Sequence, residues 1–153
     1  EFLHLAPGRI DRAIRFPDLD LARALLCLRE RRLGVGDLLL LSGIGPRDPA
    51  TNAVPGNEHD ADGRLVAHDI AAQTRAVFAN VRAVLEASGA RWEDLVDVTV
   101  YLTDMAGDFK GYNAVWAEHF PDPASAPCRT TLGIDALPTP IAIELKCIAS
   151  FKE

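Results

Sequence analysis

The chain has 153 residues, of which 48% are hydrophobic and 25% are charged, and its formal net charge is -6 at pH 7. This balance is typical of a globular protein with a buried core, and we interpret residues 1–153 as one domain. The acidic charge disfavours nucleic acid and anionic lipid as partners, and no apolar run reaches the roughly 18 residues of a membrane-spanning helix.

The first third of the chain predicts a helix, a strand and a loop. Residues 18–32, DLDLARALLCLRERR, place leucines on one side of a helix and charges on the other, which indicates an amphipathic helix. The segment DLLLLSG, from Asp37 to Gly43, is a short apolar run closed by glycine and predicts a buried strand. Residues 45–63 are rich in proline, glycine, Asn and Asp, so we expect a loop there.

The middle of the chain alternates strands and helices. LVAH predicts a second strand, and the apolar stripe between Asp69 and Ser88 predicts a helix that Asp69 caps and Gly89 ends. LVDVTVYL alternates with the period of a strand. A second helix then follows with Asp108 as its predicted cap, and its aromatic side is formed by Phe109, Tyr112, Trp116 and Phe120.

The end of the chain predicts two more strands, RTTLGI and IAIELKCIASF, joined across DALPTP. The resulting order predicts an α+β two-layer domain, with a mostly antiparallel sheet and two helices on one face. In the last strand neither face is fully polar, which is typical of a sheet that a further subunit covers.

Three cysteines, Cys27, Cys128 and Cys147, are spread through the chain. Their odd number and the lack of C-x-x-C spacing predict neither a disulfide framework nor a structural zinc site. We therefore expect a reducing, cytoplasmic environment.

Arg129 and Glu144 are the strongest candidates for a functional pair. If DALPTP forms a tight hairpin in which Ile134 faces Ile141, Thr131 lies opposite Glu144 and Arg129 projects from the same face, one diagonal step away. One interpretation is a structural ion pair across the strands. The other is that Arg129 binds a substrate carboxylate while Glu144 handles water or a proton beside it. The spacing alone leaves both interpretations open.

Other polar residues give weaker signals. His59 and His68 match no established metal motif and fit a solvated loop. Cys128 has no base placed beside it by the sequence, which favours a small packed thiol over a nucleophile. The segment PCRTT lacks the cysteine spacing of a zinc deaminase.

From about Leu38 to Ser150 the chain resembles the Rid (YjgF-like) family of reactive-intermediate deaminases. The matching pieces are LLLSG, DIAAQTRAVFANVRAVLEASGA, LVDVTVYLTDMAGDFKGYNAVWAEHF, APCRTT, LP and IAIELKCIA, in this order. The resemblance implies a chorismate-mutase-like fold and a homotrimer with active sites between subunits. It also implies hydrolysis of imines or enamines to ketones and ammonia without a metal or organic cofactor. Residues 1–36 depart from the family pattern and are treated as an atypical extension or insertion.

The resemblance also implies roles for individual residues. The carboxylate-binding arginine falls on Arg129, and the acid that holds or activates water falls on Glu144. The substrate-binding positions fall on Gly43, Asn113 and Thr131; many relatives carry cysteine where Thr131 stands.

Within the family, DIAAQTRAV, DMAGDFKGYN, RTT and the LPTP turn are most similar to the 2-aminomuconate deaminases of aromatic-compound catabolism. In that interpretation Arg129 holds the carboxylate beside the nitrogen-bearing carbon, and Arg47 or Arg64 is a candidate for a second substrate carboxylate. Two alternatives stay open: a general 2-imino acid deaminase, and a non-catalytic module that binds small carboxylates.

Overall fold

The computed structural model describes residues 32–151, which form a five-stranded sheet, a separate two-stranded sheet and two helices. The elements in chain order are β1 (Arg32–Val35), β2 (Leu38–Leu41), β3 (Asn57–His59), β4 (Leu65–His68), α1 (Ile70–Ala87), a 3-10 turn (Trp92–Asp94), β5 (Leu95–Leu102), α2 (Met105–His119), β6 (Cys128–Gly133) and β7 (Ile143–Ser150). The amphipathic helix expected over residues 18–32 lies outside the described residues, apart from Arg32, which begins β1.

The strand order of the large sheet is β1-β2-β7-β5-β6, and all neighbours are antiparallel except β5 and β6, which are parallel. The predicted hairpin between the last two strands is therefore wrong, because β5 lies between them. The central position suits β7, whose alternate residues are buried, whereas the polar β6 suits a sheet edge.

The two helices predicted in the middle of the chain are both present. Asp69 caps α1 by accepting hydrogen bonds from the backbone N–H groups of Ala71 and Ala72, and Gly89 follows the helix with a φ of 79° that favours glycine. The predicted cap of α2 is wrong: Asp104 caps the helix by accepting from Gly107 N, and Asp108 lies buried in its first turn.

The core lies between the helices and one face of the sheet, which confirms the α+β two-layer prediction. Its central members include Leu39 and Leu41 of β2, Val98, Val100 and Leu102 of β5, Ile143 and Leu145 of β7, and Val77, Val81, Val84 and Leu85 of α1.

The opposite side of the sheet, called the open face below, carries Leu33, Val35, Leu38, Leu132 and Glu144. The first four are large apolar side chains that are 42–62% exposed. Over residues 32–151, neither helix has the length and apolar character needed to cross a bilayer.

Candidate active site

Arg129 lies on the edge strand β6 and projects toward α2, because it is level with the buried Val98 on the neighbouring strand. Its Nη1 donates hydrogen bonds to Asn113 Oδ1 (3.0 Å) and, more weakly, to Tyr112 Oη (3.4 Å). The guanidinium carbon also lies 4.6 Å from the ring centroid of Trp116, within the range of a cation–π contact. Three side chains of one helix thus hold the guanidinium in a single orientation.

The donors of Arg129 are only partly used. Nε and Nη2 make no hydrogen bond with any residue in the described part of the chain, and both Nη1 partners are neutral. An arginine whose planar fork is fixed on one side and available on the other can bind a carboxylate through two parallel hydrogen bonds.

Tyr112 and Thr131 complete this group, which we call the anion half together with Arg129 and Asn113. Thr131 lies two residues after Arg129 on the same face of β6, level with the buried Val100. Burial raises the pKa of Tyr112 above its ordinary value, although the positive charge of Arg129 acts in the opposite direction. The tyrosine therefore stays protonated at neutral pH.

Glu144 and Gly43 form a second group, which we call the acid half. Glu144 is half-buried on the open face of β7, and it makes no hydrogen bond or ion pair with another residue in 32–151. Gly43 follows β2, and a Cβ there would overlap Glu144 Oε1. The next residues, Ile44 and Leu145, exchange two backbone hydrogen bonds and fix the two segments side by side. The acid half is thus a carboxylate that lies against the backbone of Gly43, where the Cβ of any other residue would overlap it.

The two halves lie apart within one chain. Glu144 is level with Tyr101 and Arg129 with Val98, on strands two positions apart, so their Cα atoms are separated by about 14 Å. Their side chains also point to opposite faces of the sheet. The expected diagonal contact, and with it the structural ion pair, is wrong because both depended on the hairpin.

Several other candidates are occupied by local contacts. Arg47 donates to Asn52 O and Oδ1, and Arg64 pairs with Asp62 within the same loop. Because both guanidinium groups are engaged within their own loop, these contacts do not support either arginine as the partner of a second substrate carboxylate.

Within residues 32–151, no histidine or cysteine side chain forms a hydrogen bond with a residue of either half. His68 Nε2 donates to the carboxylate of the buried Asp108 at 2.9 Å, and His59 is exposed. Cys128 is an exposed free thiol, and Cys147 is a buried one. In the described ranges no three His, Cys, Asp or Glu side chains gather as a metal site would require.

The sequence identified Tyr112 and Trp116 only as part of the apolar side of α2, whereas the structure places both against Arg129. The signal was the helical spacing of these two aromatic residues around Asn113, but it could not be used without the pairing of β6 with β5.

Comparisons with known proteins agree with this architecture. The family model described as Endoribonuclease L-PSP matches residues 30–151. A RutC family protein of Pyrococcus horikoshii is 40% identical over 118 residues, covering 77% of this chain and 82% of the relative. The 2-iminobutanoate/2-iminopropanoate deaminase of Salmonella typhimurium is 34% identical over 116 residues, covering 75% and 80%. The crystal structure of the YjgF gene product from E. coli superimposes with a TM-score of 0.66 at 30% identity, covering 80% of this chain and 87% of the other.

Proposed function

Because this chain belongs to the endoribonuclease L-PSP family, which includes the Rid (YjgF, RutC) proteins, we propose that it hydrolyses 2-imino acids to 2-oxo acids and ammonia. The observation that carries the proposal is the Arg129 guanidinium, which is held by α2 while its Nε and Nη2 donate to no residue within 32–151. The name of the Salmonella relative supports the reaction. The family description also mentions an endoribonuclease, but a net charge of -6 is a poor match for RNA.

The proposed chemistry uses both halves of the site. Arg129 binds the carboxylate and so places the adjacent imine carbon, and Glu144 accepts a proton from the water that attacks this carbon. The carbinolamine that forms carries a hydroxyl and an amino group on one carbon. Glu144 first passes the proton from water to the imine nitrogen, which completes the amino group. The hydroxyl proton then moves through Glu144 to the same nitrogen, ammonia leaves, and the 2-oxo acid remains, so both protons of the water end on ammonia.

A single copy of the chain does not bring its own halves together, so the proposal includes an assembly. We propose a homotrimer in which the anion half of one copy meets the acid half of the next. The exposed apolar side chains on the open face support a covering subunit, because such a patch is unusual on a monomer. Light scattering is expected to give the mass of three chains, and a monomer mass at micromolar concentration would contradict the assembly.

That the substrate is 2-aminomuconate remains a prediction, and it is narrower than the proposed activity on 2-imino acids in general. The relatives' names point to imino acids in general, and the loop arginines expected to bind a second carboxylate are engaged elsewhere. A comparison of steady-state kcat/KM for 2-aminomuconate and 2-iminobutanoate tests this prediction. A value for the muconate that is equal or lower would favour a general 2-imino acid deaminase instead.

The reaction is tested by generating 2-iminobutanoate in place with an amino-acid oxidase and following ammonia release against the uncatalysed rate. We expect acceleration by the wild type and its loss in Arg129→Ala. No acceleration, combined with saturable binding of 2-oxobutanoate, would instead support the non-catalytic carboxylate-binding module.

A further inference from the structure

Gln73 is a buried amide on α1 that belongs to neither half of the site, and its relative exposure is 0%. Its Oε1 accepts a hydrogen bond from Ala142 N at 2.8 Å, and its Nε2 donates to Asn57 Oδ1 of β3 at 2.7 Å. Asn57 in turn donates from Nδ2 to Pro140 O at 2.8 Å. The two amides and residues 140–142, which lead into β7, thus form a closed ring, called the amide ring below.

Only one orientation of the two amides fits the amide ring. A peptide carbonyl can only accept, so Asn57 must turn its NH2 group to Pro140 and its oxygen to Gln73. A peptide N–H can only donate, so Gln73 must turn its oxygen to Ala142. Ala142 is buried, and the loss of Gln73 would therefore leave a buried backbone donor without an acceptor.

The amide ring lies directly before Glu144 in the chain. Ala142 is two residues ahead of Glu144, and its carbonyl accepts a hydrogen bond from Thr103 N at 3.1 Å. Both backbone polar groups of Ala142 are thus held where β7 begins. Because the Glu144 side chain has no hydrogen-bond partner among residues 32–151, the position of its carboxylate depends on the backbone that carries it.

A second amide of α1 holds the other backbone segment of the acid half. Asn80 lies two helical turns after Gln73, on the same side of the helix. Its Nδ2 donates to Gly45 O and to Arg47 O, both at 2.9 Å. These carbonyls follow Gly43, so α1 anchors the chain on each side of the contact between Gly43 and the Glu144 carboxylate.

We propose that Gln73 is a positioning residue, which fixes the backbone that places the Glu144 carboxylate for catalysis. The inference rests on the proposed function, because Glu144 must be the group that handles water. The anion half has separate supports, since Arg129 is held by α2 and the end of β6 is held by the hydrogen bond from Ile134 N to Leu102 O. Loss of Gln73 should therefore impair proton transfer and leave carboxylate binding intact.

The variant Gln73→Leu tests this separation. We expect kcat for 2-iminobutanoate to fall by about tenfold to a hundredfold, because a displacement of about 1 Å at a catalytic group has an effect of that size. The Kd of 2-oxobutanoate, measured by calorimetry, should stay within about twofold of the wild-type value. Light scattering on each protein shows that the variant keeps the wild-type mass.

Thr74→Val is the matched control. Thr74 is the next residue of α1 and is equally buried, but its hydroxyl donates to Ile70 O within the same helix. The control should therefore lose stability in urea without losing kcat. A structural role for Gln73 would make the two variants alike.

Asn57→Ala breaks the amide ring from its half-buried side, so it tests the inference even if Gln73→Leu does not fold. It should also lower kcat and spare the Kd of 2-oxobutanoate. Because the two amides act as one unit, the double variant should be no slower than the slower single variant.

Wild-type kcat in the folded fraction of Asn57→Ala, an equal fall of kcat in Thr74→Val, or a matching loss of affinity for 2-oxobutanoate would each overturn the inference. The proposed function fails in a different way, because its failure is seen in the wild type. If the wild type does not accelerate imine hydrolysis, the proposed function is refuted, and the positioning role is refuted with it.

Discussion

Replacing Arg129 with alanine is expected to reduce kcat/KM for 2-iminobutanoate by at least about tenfold to a hundredfold, because a charge-assisted hydrogen bond contributes roughly 1.5 to 3 kcal/mol. The cost in folding free energy should be smaller, about 1 to 2 kcal/mol. In the folded chain the guanidinium is exposed, contacts the neutral acceptors of Asn113 and Tyr112, and lies over Trp116. Removing it therefore breaks no ion pair among the described residues.

Two further variants make this test specific. Arg129→Lys keeps the charge but loses the planar fork, so its kcat/KM should fall between those of wild type and Arg129→Ala. Arg75→Ala is the matched control, because Arg75 is an exposed arginine whose partner is Glu118 on α2. Initial rates and urea unfolding are measured on each protein. If Arg129→Ala loses stability while the folded fraction keeps wild-type kinetics, the arginine is structural and the reasoning is wrong.

Three other results are expected. Gly43→Ala should lower kcat about tenfold or more, since the added methyl displaces Glu144, whereas Gly34→Ala meets only ordinary contacts and should not; equal rates would contradict this. Burial raises the pKa of the Cys147 thiol to about 12. Its contribution to the free energy of unfolding is therefore complete below about pH 9 and falls progressively above that pH, because the thiol of the unfolded chain ionises first. Above about pH 9, the free energy of unfolding measured with urea should fall by up to about 1.4 kcal/mol per pH unit, and Cys147→Ala should make this fall smaller. An identical dependence on pH in the variant would contradict the assignment to Cys147. Ammonia release should survive dialysis against a strong chelator, because the proposed mechanism routes no step through a metal, and activity restored only by a metal would refute it.

The helices could be predicted from the sequence because their signals are local. The apolar stripe over Val77, Val81 and Val84 and the cap at Asp69 act within a few residues of one another. The cap of α2 was missed because Asp104 and Asp108 both precede apolar positions, and only tertiary contact distinguishes them. Asp108 is buried where His68 donates to it from β4, forty residues earlier in the chain.

The strand order could not be predicted from the loop length. A proline-containing connection between two strands suggests a hairpin, but pairing is decided by which strands can bury a complete face against the helices. The alternation Ile143, Leu145, Cys147 places β7 in the centre, and β6 then pairs in parallel with β5 across α2. The resemblance identified Arg129 and Glu144, but only the register shows that they lie on opposite faces.

The central claim, that one active site is built from two copies of the chain, is tested most directly by mixing two inactive variants. Arg129→Ala disables the anion half but leaves the acid half intact, and Glu144→Gln does the reverse. Each variant alone should therefore be nearly inactive. When equal amounts are unfolded together and refolded, a site shared between neighbours should recover about a quarter of wild-type activity, because that fraction of random pairings joins two intact halves. A mixture of correct mass that stays as inactive as its components would contradict the shared site.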